Sequence, residues 1–145
     1  MAMIDKLLTF CTAQALSADA NLTDVIDLKA AGVFGNGRPM QVVINVDVAA
    51  DATTGDETYA FNVITDDAAD IGSGTTIATK TITAANLAVN TLHVIDIPED
   101  VATLQYLGVA FDGGGTTPTV TITAWLAEKG TSITNLYKAP NGFDA

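Results

Sequence analysis

The chain carries one histidine, His93, and one cysteine, Cys11. These side chains are common general bases and nucleophiles, and each needs a partner within hydrogen-bond reach. No motif spacing joins the two. His93 alternates with Ile95 and Ile97, the setting of a hydrogen-bonded histidine in a half-buried strand. Cys11 follows Phe10 and reads as a small buried hydrophobe. A zinc centre needs several histidine or thiolate ligands, and this chain has one of each. A single cysteine forms no intrachain disulfide, so a reducing compartment is the simplest setting.

Two acidic groups, Asp47/Asp51/Asp56/Glu57 and Asp66/Asp67/Asp70, are the remaining candidates. Hard cations favour several such oxygens on flexible loops. Neither group follows the EF-hand pattern, so both read as solvated loop charges. The glycine run 113–115 lacks the lysine and following helix of a phosphate-binding loop and reads as a hairpin turn. The residues therefore point to no catalytic group, no metal site and no cofactor, and to a protein that is not an enzyme.

The elements that would position a surface are extended. In residues 40–50, MQVVINVDVAA, Val42, Ile44, Val46 and Val48 fall on one side of a strand. Val43, Asn45, Asp47 and Ala49 fall on the other, because strand side chains alternate. That predicts one buried face and one partly wetted face. Similar alternation predicts strands over residues 59–65, 75–82, 92–97, 103–111 and 120–127, with Phe61/Val63, Leu107/Val109/Phe111 and Val120/Ile122/Leu126 in the core. Residues 12–16 and 25–28 read as short extended pieces, and 17–23, 30–39 and 112–118 as turns. Helical turns are expected only within residues 1–10 and 84–89. The whole reads as a single all-β domain over 1–145, a β-sandwich or jelly roll of about eight short strands. Residues 1–16 are expected to form an N-terminal arm and 128–145 a C-terminal tail.

Composition narrows the partners. With 145 residues, 48% apolar and only 16% charged, the chain can build a core and leaves a weakly charged surface. Seventeen acidic residues against six basic ones give a net charge of −11, which repels phosphate backbones and argues against nucleic acid. No polybasic segment suggests a membrane surface, and no apolar run approaches the ~20 residues of a membrane helix. The opening residues lack the pattern of a signal peptide, so folding in a cytoplasm is expected. Trp125 faces away from the Val120/Ile122/Leu126 row. It is either a cap on the rim of the core or an interface anchor, with Tyr106 and Tyr137 as weaker anchors.

Residues 3–28, MIDKLLTFCTAQALSADANLTDVIDL, resemble the opening of capsid cement proteins of short-tailed bacteriophages, of the Bordetella-phage type. Met3, Ile4, Asp5 and Lys6, the Ala13-Gln14-Ala15 triplet, and Val25 to Leu28 ahead of a glycine-rich turn carry it. The strand QVVINVDVA and the segments NVITDDAA and LGVAF are also similar. The resemblance implies a jelly-roll protein on the outer surface of the virion capsid, made in the host cytoplasm. It would bridge major capsid protein subunits as a homo-oligomer, with a dimer favoured over a trimer. Because the resemblance is densest in the arm, Ile4, Leu7, Leu8 and Phe10 are expected partner contacts, beside Tyr106, Trp125 and Tyr137. A virion carbohydrate- or receptor-binding β module is the alternative. A cupin-like enzyme comes third, because its metal site would use several histidines.

Overall fold

Alternating apolar side chains become strands wherever one face can be buried. The computed structural model describes residues 6–33, 39–98 and 101–128. Among these, a 3-10 turn at Lys6–Leu8 leads into β1 (Thr9–Leu16), β2 (Ala20–Asn21), β3 (Ile26–Asp27) and β4 (Gly32–Val33). Then come β5 (Met40–Val48), β6 (Thr58–Asp66), β7 (Thr75–Ile82) and a second 3-10 turn at Ala84–Asn86. The chain continues through β8 (Leu92–Ile97), β9 (Ala102–Thr103), β10 (Tyr106–Gly114) and β11 (Val120–Glu128).

The strands form two antiparallel sheets, in the orders β1-β11-β5-β8 and β2-β10-β6-β7, with β3 also pairing β10; β4 and β9 make a separate small pair. Reading β2 and β3 as one interrupted strand and leaving aside β4–β9, the first sheet holds the first, eighth, third and sixth strands. The second holds the second, seventh, fourth and fifth. This interleaving is a jelly roll, one of the two architectures the strand spacing allows and the one the resemblance implies.

The two inner faces meet in one core. Val42, Ile44 and Val46 from β5 and Val120, Ile122, Ala124 and Leu126 from β11 face Phe61 and Val63 from β6 and Leu107, Val109 and Phe111 from β10. Phe111 packs against Phe61 and Tyr59, with ring centroids 5.4 and 6.1 Å apart. The Tyr59 hydroxyl leaves the apolar layer by donating to the Asp51 carbonyl at 2.5 Å.

Three local expectations are corrected. Val48 does not join the core and is 58% exposed. Val46 pairs with Ile122 and Val48 with Thr121, so two steps on β5 match one on β11. This β-bulge at Asp47 breaks the alternation and turns Val48 out. The second β5 row is partly wetted, as expected, but only toward its end: Asp47 is half-buried and Ala49 exposed, whereas Val43, Asn45 and the neighbouring Trp125 are buried. Period-two patterning separates two faces, but it carries no information on whether the polar one is covered.

Residues 9–16 are a strand rather than part of an arm. β1 pairs along β11 and places Phe10 and Cys11 in the core. Finally, Gly113 and Gly114 belong to β10, paired with Tyr59 and Thr58. A Cβ on Gly114 would lie 2.3 Å from Thr58 Oγ1, so this glycine permits close approach between strands, and the turn begins at Gly115 (φ +83°).

Candidate interaction surface

His93 lies on β8, an edge of the first sheet, and Cys11 on β1, the opposite edge. Three strand spacings separate those edges, about 14 Å at ~4.8 Å each. His93 Nε2 is 2.9 Å from the Asn86 carbonyl and 3.1 Å from Thr91 Oγ1. Burial lowers its pKa, against the Asn86 bond that raises it. Cys11 Sγ points to the Ile122 carbonyl at 3.5 Å, and burial pushes the thiol up to about 12. The geometry does not bring the two groups together.

The first acidic group is divided. Asp47 ties the outer side of the first sheet, accepting from Asn45 Nδ2 at 2.8 Å and Thr123 Oγ1 at 2.6 Å. Asp51 and Asp56 knot the β5–β6 loop to the β10–β11 turn through Thr117 and Thr116, and Glu57 closes the loop on itself. Asp56 accepts from Thr54 Oγ1 at 2.6 Å and from Thr116 N and Oγ1 at 3.1 and 3.0 Å. Glu57 accepts from the Thr54 and Gly55 amides at 3.0 and 2.9 Å and from the Thr54 hydroxyl. Hydrogen bonds, first of all from Thr54 hydroxyl, hold Asp56 and Glu57 below the usual carboxylate range. Thr53 does the same for Asp51.

In the second group, Asp66 is buried and accepts from the Ala68 and Ser73 amides, both at 3.2 Å. Burial pushes its carboxyl up, but these bonds outweigh that effect and leave it low. Both groups thus act as loop fasteners. Among the described residues, no three of His, Cys, Asp and Glu gather in a way that could hold a metal ion.

The remaining surface features are apolar. Leu7 is 79% exposed at the lip of a groove of about 360 Å³, lined also by Thr9, Asp24, Val25, Asp27 and Lys29. Lys29 pairs with Asp27 there at 3.0 Å. Of the expected contact residues, Leu8 packs partly against the core and Tyr106 is half-buried at the start of β10. Phe10 and Trp125, at 0% and 2% exposure, do not present their rings at the surface. Ile4 and Tyr137 lie outside the described residues. The sequence reading missed Val48, Val89 and Leu104, which are 58%, 53% and 40% exposed. Only the bulge turns Val48 out, and no residue type in β5 announces it.

A family model, Bbp16, matches residues 10–126. The chain belongs to the Bbp16 family. The match spans the sandwich from the second residue of β1 almost to the end of β11, and it is consistent with a phage protein in a virion. No curated protein matches this Bbp16-family chain. One similar solved structure is titled "Crystal structure of PirA", with a TM-score of 0.42 and 6% identity over 79% of this chain and 92% of that one. A likeness at that level carries no argument about function.

Proposed function

We propose that this chain is a capsid cement protein. It binds the outer surface of a bacteriophage head and bridges neighbouring major capsid protein subunits, reinforcing the shell. The observation that carries this reading is the Bbp16 family match over residues 10–126, which supports a phage structural protein. The jelly roll supplies a stiff body with exposed apolar groups. His93 and Cys11 sit apart on opposite sheet edges and the carboxylates fasten loops, an arrangement that suits a protein working by contact.

The working form is a homo-oligomer, a dimer in preference to a trimer. Several modest contacts raise effective concentration without one strong site. Leu7 at its groove and Tyr106 at the start of β10 are contact residues under this reading. The alternative, a virion carbohydrate-binding module, fits less well. Among the described residues the exposed large apolar side chains are Leu7, Val48, Val89 and Leu104, all aliphatic, whereas sugar faces stack on aromatic rings.

Cosedimentation with empty heads of the same phage tests the proposal. Saturable pelleting with heads, and no signal on a glycan array, is expected. Glycan binding without head binding would favour the alternative.

A further inference from the structure

The β5–β6 connection and the segment after β7 run side by side. The Asn90 amide donates to the Val46 carbonyl at 2.8 Å, the Val46 amide to Thr91 at 3.0 Å, and the Ala50 amide to Leu87 at 3.0 Å. Within this ladder the bulge turns Val48 outward, and Val89 is exposed on the facing segment, at 58% and 53%. Ala49 and Ala88 beside them are exposed too. The same two segments continue to Ala52 and Ala84, which line a cavity of about 300 Å³ with Gly55, Glu57 and Thr81. Glu57 is 9% exposed, and its hydrogen bonds keep it ionised at neutral pH. The result is an apolar ridge leading to a socket that carries a fixed negative charge.

Charge decides what fits there. Asp47 and Asp51 flank Val48 in sequence, and Glu57 lies at the socket. Among the residues whose side chains are described, the cations are Lys29 and Lys80, engaged by Asp27 and by the Val94 carbonyl. A second copy would bring carboxylates against carboxylates. We infer that the Val48–Val89 ridge and the Glu57 socket form a docking surface for a different protein, one presenting apolar side chains rimmed by lysine or arginine. A basic side chain enters the socket while the valines cover the apolar part. Opposite charge steers the encounter, and the buried apolar contact holds it.

This inference rests on the head-binding reading, which makes the partner the major capsid protein. The test uses full-length protein and empty heads, comparing wild type with the double variant Val48→Asp/Val89→Asp. Both valines are exposed, so circular dichroism and the melting midpoint should match wild type. The variant is expected to lose affinity for heads by about tenfold or more. Wild-type affinity should fall as salt rises from about 0.05 to about 0.5 M, because the contact has a charged rim. Equal binding by wild type and the folded variant would overturn this surface while leaving head binding in place. A changed oligomer mass in the variant would assign the ridge to contacts between copies and overturn the inference as well. No binding by wild type would defeat the head-binding reading, and this surface with it.

Discussion

Burial pushes the Cys11 thiol up to about 12, so at neutral pH almost none of it is thiolate. The folded protein should therefore resist iodoacetamide and become labelled only on addition of denaturant, as read by mass. Rapid labelling of the native state would contradict the buried position. His93 offers a pH test. Its folded pKa lies below the ordinary imidazole value of 6.5 because burial disfavours the charged ring. As pH falls below 6.5 the unfolded chain takes up the proton first, so stability should drop on acidification through that range. His93→Gln should flatten that part of the profile of melting midpoint against pH. Ile44 and Val48 make the sharpest residue-level contrast. Ile44→Ala should cost about 2–5 kcal/mol in denaturant unfolding, whereas Val48→Ala should cost about 0.5 kcal/mol or less. The alternation reads Ile44 correctly and misplaces Val48, because one extra residue at Asp47 turns Val48 out of the core.

At the scale of elements, β1 and the Gly115 turn carry the predictions. β1 holds Phe10 at 0% exposure, so Phe10→Ala should cost about 3–5 kcal/mol by chemical denaturation. Removing residues 1–10 should destabilise the sandwich, since it takes Thr9 and Phe10 from a sheet. This strand was hard to read because it contains irregular pairing. Its register shifts between Thr9 and Cys11 and again between Cys11 and Gln14, and Ala13 has φ 46°. Such bulges blur a period-two signal. They also make a poor template for pairing with another chain. The central strands β5, β6, β10 and β11 are long, evenly paired over most of their length and buried on the inner side, so their side-chain pattern is clear there. The Gly115 turn is tight: a Cβ there would lie 2.3 Å from the Asp56 carbonyl oxygen, at φ +83°. Gly115→Ala should cost about 1–3 kcal/mol and loosen the knot of Asp51, Asp56 and Glu57.

For the whole molecule, what could be read from sequence divides along physical lines. An all-β sandwich of about eight strands follows from local alternation and turn chemistry, whereas its strand order does not. The Val48–Val89 ridge depends on a bulge and on pairing between residues 46–50 and 87–91, and no local pattern encodes that pairing. A net charge of −11 favours partners with basic rims. Under the proposed cement role the protein reinforces a phage head, and reinforcement is a mechanical property of the particle. The direct measurement is the temperature at which packaged heads release DNA, recorded for heads without the protein and for the same heads saturated with it. The account predicts release at a clearly higher temperature once the protein is bound. Release at the same temperature despite full occupancy would contradict it.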